Sequence, residues 1–394
     1  MDHQGSPLTR RRTLLAGAGL AVAAAGLRPA AAAGAAAPAR PATPTRPTAP
    51  TGPETRAGFG LTPQQLAGQR VIYSYPGATV PQDLLDLIAQ GLAGGVIIFG
   101  QNVTSLAQIT AAVQQLQEAN AQSPVAAPLL VMTDQEGGLV RRLPGGPVMS
   151  QKQIGESADP PGAAAAAGTE AGRLLRGAGV NVNLAPVLDV YRTPGDFDDQ
   201  FQRSYSMDPD VVAACGRAFI TAQQDQRVAA TAKHFPGLGP ACADQNTDAG
   251  PVTLTTPLTE LRGIDERPYG PAVEAGVDLV MVSWAVYPAL DPDRPAGLSP
   301  RVVQDELRHR HHFHGVTVTD AINAGALTAL GTPPQNAVAA ARAGMDLILD
   351  ATRDVSQGLA LVQGLGDALA NGDLDPREFR AALHRTVRLR RNLA

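Results

Sequence analysis

From residue 71 to the end of the chain, short apolar and β-branched runs alternate with longer stretches whose apolar positions recur at helical spacing. The short runs cover residues 71–75, 95–99, 129–133, 181–184, 229–233, 278–283, 316–319 and 345–349. They are continuously apolar rather than alternating, which is how strands buried on both faces read. The intervening stretches at 81–92, 106–119, 163–177 and 211–224 read as helices, the last introduced by Asp208-Pro209, a capping residue followed by proline in the first turn. Eight strand–helix alternations predict an α/β protein built on a single closed (β/α)8 barrel. The alternative is an open doubly wound sheet, but no glycine-rich dinucleotide fingerprint follows the first run.

The first 57 residues are patterned differently. Arg10-Arg11-Arg12 precedes an apolar run that ends near Leu27, and Ala31-Ala32-Ala33 supplies a small-residue cleavage site. Residues 1–34 therefore read as an export signal. The paired arginines ahead of an Ala/Gly-rich core suit the twin-arginine route. The run is shorter than the roughly 20 residues a spanning helix needs, so a membrane anchor is the weaker reading. Residues 35–57 alternate Pro, Ala, Thr and Arg without periodicity and read as a linker, leaving 58–394 for the barrel. An extracellular, periplasmic or envelope location follows. Cys215 and Cys242, the two cysteines, either pair there or stay free.

The net charge of −4 offers no basic field to nucleic acid, which is excluded as a partner. Chemistry is sought at the carboxyl ends of the strands, where a parallel barrel builds its active site. Polar residues collect there: Asp134-Gln135-Glu136 after the third run, Asp189 after the fourth, Lys233-His234 at the end of the fifth, Asp320 after the seventh and Asp350 after the eighth. Asp189 and Asp350 read equally as helix caps. Lys233 stands out because the other lysine is Lys152 and every remaining cation of this kind is arginine. An ammonium donates three hydrogen bonds from one point, which suits sugar hydroxyls or a carbonyl, and also suits imine chemistry.

Asp134-Gln135-Glu136-Gly137-Gly138 with Arg142, Asn183-Leu184-Ala185-Pro186-Val187-Leu188-Asp189, Arg203-Ser204-Tyr205, Lys233-His234-Phe235-Pro236-Gly237 and Val318-Thr319-Asp320 together resemble glycoside hydrolase family 3. In order and spacing they are most similar to its single-domain β-N-acetylglucosaminidases. The resemblance implies that Asp320 is the nucleophile of a retaining glycosidase. It also implies that Asp134, Arg142, Arg203, Lys233 and His234 hold the non-reducing sugar, with no cofactor or metal required. A retaining enzyme needs that ionised carboxylate and a proton donor for the leaving oxygen. The substrate so implied is β-linked N-acetylglucosamine on cell-wall fragments or chito-oligosaccharides, acted on by a monomer.

The pattern breaks after the fifth strand. Relatives carry a histidine where this chain has Leu238, and an Asp-x-His pair where it has Asn246 and Asp248. Three readings stay open: Asp248 is a carboxylic acid/base, Asp244 takes that part, or a glycan-binding pocket persists with little turnover. Asn246-Thr247-Asp248 also reads as a plain turn. Trp284, the single tryptophan, reads either as a stacking surface for a sugar or as a packing residue. The run His309, Arg310, His311, His312 and His314 reads as solvated surface on the helical side rather than as a metal site.

Overall fold

The computed structural model describes residues 60–393. The stretches expected to be an export signal and a linker lie outside the described residues. Strands β1 (Val71–Tyr73), β2 (Gly95–Ile98), β3 (Leu130–Thr133), β4 (Val182–Asn183), β5 (Ala229–Phe235), β6 (Leu279–Val282), β7 (Val316–Ala321) and β8 (Leu347–Leu349) close into one parallel barrel in the order β1-β8-β7-β6-β5-β4-β3-β2. The open doubly wound alternative is thereby set aside. No helix among the described residues is long and apolar enough to cross a membrane.

The eight apolar runs become strands because each supplies side chains to two dry layers at once. Ile72, Ile97, Leu130, Met132, Val182, Leu184, Leu279, Met281, Val316, Val318, Leu347 and Leu349 form one buried cluster, the barrel interior. Their neighbours Val71, Tyr73, Val96, Ile98, Val131, Val280, Val282 and Ile348 belong to a second cluster shared with the helices. The alternation has the period of two that a strand imposes. Each fully buried Leu, Ile or Val contributes about 1.5–3 kcal/mol.

The helices start where the sequence provides caps. Asp208 accepts from the Asp210 N–H (2.9 Å) ahead of helix Pro209–Gln224. Asp159 accepts from the Gly162 N–H (3.1 Å) ahead of Pro160–Gly177, which begins earlier than apolar periodicity alone indicates because two prolines occupy its first turn. The end of the barrel opposite the strand carboxyl ends is shut by helix Pro376–Asn392. There Asp346, fully buried, pairs with Arg308 (2.6 Å) and Arg385 (2.7 Å).

Two irregularities shape the other end. Between Ala232 and Phe235, β5 advances three residues while β6 advances from Val280 to Val282. Between Val318 and Ala321, β7 advances three while β8 advances from Leu347 to Leu349. Each is a one-residue slip, confined to the mouth, of the kind that re-aims side chains beside active sites.

Candidate active site

The mouth holds a cavity of about 660 Å³. Its floor is the upper inward layer of the barrel, Ile97, Leu184, Met281 and Leu349. Three charged residues reach it by strand parity alone. Leu130 and Met132 face inward, so Asp134 does too; Val316 and Val318 place Asp320; and Ala229 and Thr231 place Lys233. His234, next to Lys233, would face the helices in a regular strand. The slip in β5 brings it into the cavity beside Lys233.

The loop after β5 returns to the barrel wall closely enough to require glycine. A Cβ on Gly239 would lie 2.1 Å from the Val190 carbonyl oxygen, and Gly237 has φ +141° with Asp265 directly behind it.

Lys233 is buried and donates to Asp134 Oδ1 (2.7 Å), with Glu136 Oε1 at 2.8 Å. Arg203 grips Glu136 with two parallel hydrogen bonds of 2.9 Å and reaches Asp198 Oδ1 at 2.6 Å. Arg142 sits 3.9 Å from the other oxygen of Asp134. Burial alone would raise the Glu136 carboxyl, but the charges of Arg203 and Lys233 outweigh it and hold Glu136 well below the usual carboxylate range. Two cations and a buried anion thus fix one another, and the remaining donors converge on the cavity.

Beside this cluster Asp189 accepts from the backbone N–H of His234 (3.2 Å) and of Leu238 (2.6 Å), and its Oδ2 lies 2.7 Å from His234 Nδ1. Burial lowers the histidine pKa, and the Asp189 charge and hydrogen bond more than reverse this, so the net shift is upward. Asp198 is pushed up to about 7 by burial and by the Asp189 charge, which together outweigh the lowering effect of Arg203. Asp189, Asp198 and His234 are the one group among the described residues with metal-ligand spacing. Within it Asp189 Oδ2 meets His234 Nδ1, and Asp198 Oδ1 accepts from Arg203.

Asp320 Oδ1 accepts from the Ala321 N–H (2.7 Å), leaving its carboxylate at the cavity wall. Asp248 lines the same cavity from the loop after β5. Its N–H donates to Asn246 Oδ1 (2.8 Å), so the turn is real, and the carbonyls of Thr247 and Asp248 accept from Ala326 and Gly325, which ties the loop to the segment after β7. Although Asp248 is exposed, the surrounding protein desolvates its carboxyl and the neighbouring charge of Asp320 adds to the effect; both raise its pKa.

Asp134, Arg142, Arg203, Lys233, His234, Asp248 and Asp320 therefore all line one cavity. Asp244 is exposed and is not among the residues lining it. Trp284 is a correction. Inward parity on β6 falls on Met281 and Ser283, so the indole points outward, is 1% exposed, and donates from Nε1 to the Ala321 carbonyl (2.9 Å). It packs behind the β7 end and offers no face to a sugar.

His311 also departs from expectation: it is not solvated but lies 3.0 Å from Glu266 and edge-on to Phe235, whereas His309 is exposed as expected. Cys215 is buried and Cys242 exposed, and the two are not paired. Asp350 does not line the cavity; it organises the turn after β8 by accepting from Ser74 and Thr352.

The family profile described as the N-terminal domain of glycosyl hydrolase family 3 matches residues 65–389. The chain belongs to glycosyl hydrolase family 3. It is 46% identical over 330 residues to an uncharacterized secreted glycosyl hydrolase of Arthroderma benhamiae, covering 83% of this chain and 93% of that one. A β-hexosaminidase of Stenotrophomonas maltophilia is 34% identical over 71% of this chain and 82% of its own. Among solved structures, a family 3 β-N-acetylglucosaminidase from a Paenibacillus species superposes with a TM-score of 0.79 at 31% identity, over 84% of this chain. The matched region spans 63% of that Paenibacillus chain.

Within this family 3 chain, sequence reasoning passed over Glu136 and Asp198. The first lies in a quoted motif but on the short strand Gln135–Gly137 outside the barrel, and the second on the four-residue helix Phe197–Gln200. An acidic residue five positions before Arg203 was the available signal.

Proposed function

We propose that this chain is a retaining β-N-acetylhexosaminidase that removes terminal N-acetylglucosamine from cell-wall fragments or chito-oligosaccharides outside the cytoplasm. The observation that carries the reading is the inward position of Asp320 at the end of β7, in the same cavity as Asp134, Arg142, Arg203, Lys233 and His234. The printed names of the Stenotrophomonas and Paenibacillus relatives support the substrate class. Export is supported by the arginine-led N-terminal stretch and by the Arthroderma relative, which is named as secreted.

In this reading Asp134, Arg142, Arg203, Lys233 and His234 bind the hydroxyl and acetamido groups of the terminal sugar. An Asp320 carboxylate oxygen attacks the anomeric carbon, and the bond to the leaving oxygen breaks as Asp248 gives that oxygen its proton. Asp248, now ionised, takes a proton from water; the hydroxide oxygen bonds to the anomeric carbon and frees Asp320. The raised pKa of Asp248 keeps it protonated to higher pH than an ordinary aspartic acid.

Asp320→Ala tests the assignment. It is expected to reduce release of a chromogen from an aryl N-acetylglucosaminide to background, and wild-type protein quenched during turnover is expected to carry one hexosamine on the peptide containing Asp320. Activity above a few per cent in the variant, or an adduct elsewhere, overturns it.

A further inference from the structure

Asp320 and the sugar-binding set occupy β3 to β7, and the opposite sector of the mouth, β8-β1-β2, holds a feature the proposed chemistry does not use. Arg353, in the turn after β8, has a left-handed backbone with φ +64°. That conformation is costly for a residue with a Cβ, and it persists only when its surroundings fix it. They do: the Arg353 N–H donates to Ser74 Oγ (2.7 Å), Ser74 Oγ donates to Asp350 Oδ2 (3.1 Å), and Asp350 also accepts from Thr352 Oγ1 (2.7 Å).

The turn carries the Arg353 guanidinium over the ring of Phe99, after β2, with 4.9 Å from Cζ to the ring centre. Phe99 is itself fixed, its N–H donating to Asn102 Oδ1 (2.8 Å). Both residues line the cavity, and Arg353 is exposed within it.

The two cations of the deep site, buried Lys233 and half-buried Arg203, are neutralised: Lys233 by Asp134 and Glu136, and Arg203 by Glu136 and Asp198. Arg353 forms no ion pair with any described residue, and with its face on Phe99 the N–H edges of its fork are the part left to bind. A planar fork held in place is suited to a carboxylate, which it engages with two parallel hydrogen bonds.

Resting on the reading of Asp320 as the attacking group, we infer that Arg353 and Phe99 form the leaving-group subsite and select a leaving sugar that bears a carboxylate. The neutral chito-oligosaccharide is then the poorer of the two substrate classes.

The test compares a β-linked N-acetylglucosaminyl disaccharide whose reducing sugar carries a carboxylic acid with the same compound as its primary amide. Wild type is expected to hydrolyse the acid with about 10-fold higher kcat/KM, the worth of one charge-assisted hydrogen-bond pair. The preference should fall as salt is raised. Arg353→Gln should bring the acid-to-amide ratio to about one, and Arg353→Lys should leave an intermediate ratio, since the charge remains and the fork is lost. The ratio is internal to each protein, so a general loss of activity does not obscure it. Equal rates on acid and amide in wild type, or an undiminished ratio in Arg353→Gln, overturn the inference. If wild type releases nothing from either compound or from the aryl glycoside, it is the Asp320 reading that fails. The ratio of the two dissociation constants, measured by calorimetry in wild type and Arg353→Gln, then decides the subsite on its own.

Discussion

Glu136→Gln changes one charge and almost no volume, and the geometry of the site says what that charge is worth. The side chain is 1% exposed, takes two hydrogen bonds from Arg203 at 2.9 Å and has the Lys233 ammonium at 2.8 Å. Removing one member of a buried ion cluster costs about 3–5 kcal/mol, because the partners stay buried without their counter-charge. Lys233 retains Asp134 and Arg203 retains Asp198, so the lower end, about 3 kcal/mol, is the expected loss. Against a total stability on the order of 5–15 kcal/mol this is readily measured by urea denaturation at pH 7. The sign of the pH dependence follows from the lowered carboxyl. The unfolded chain takes up its proton near the ordinary value of 4.5 and the folded chain only at far lower pH, so the stabilisation is complete above that value and is lost as the solution is acidified below it. The gap between wild type and variant should therefore be constant from pH 7 to about 5.5 and shrink below about pH 4.5. A gap under about 1 kcal/mol at pH 7, or one that widens in acid, would refute the view of Glu136 as the shared counter-ion.

Asp248→Asn should erase the alkaline limb of the kcat/KM profile, since the acid form lost as pH rises through the raised Asp248 pKa no longer exists; it should also slow poor leaving groups more than activated aryl ones, and equal slowing with an unchanged limb would reject the acid role. Trp284→Phe removes the hydrogen bond to the Ala321 carbonyl and should cost about 1 kcal/mol in denaturation experiments while leaving sugar affinity within about twofold; a larger loss of affinity with unchanged stability would restore the tryptophan as a stacking surface.

Much of the site was legible because it obeys strand parity. Leu130, Met132 and Asp134, or Val316, Val318 and Asp320, are readable as one face of a strand whose last member is charged. The same rule, applied to Met281, Ser283 and Trp284, places the tryptophan on the wrong face, so that error was avoidable. His234 was not reachable this way, because a bulge that shifts parity by one residue leaves no local signature in Lys233-His234-Phe235. Glu136, Asp198 and Arg353 sit on a hairpin, a four-residue helix and a turn, where neither of the two hydrophobic periods operates and position is set by contacts distant in sequence. Arg203 meets Glu136 across 67 residues and Arg353 meets Ser74 across 279, separations that no pattern within a single segment encodes. His311 was misjudged for a related reason: its run is polar, but Glu266, the buried partner that draws it inward, lies 45 residues earlier.

The slips in β5 and β7 are local to the mouth, and below them the ladders run in unbroken register from Thr231 with Leu279 and from Val316 with Leu279. The extra residue therefore acts as a spacer that uncouples what the barrel shows to solvent from how its staves are seamed together. It lets both Lys233 and His234 face the cavity where a regular strand would admit only one of them, so the lining can differ between barrels whose staves are seamed in the same way.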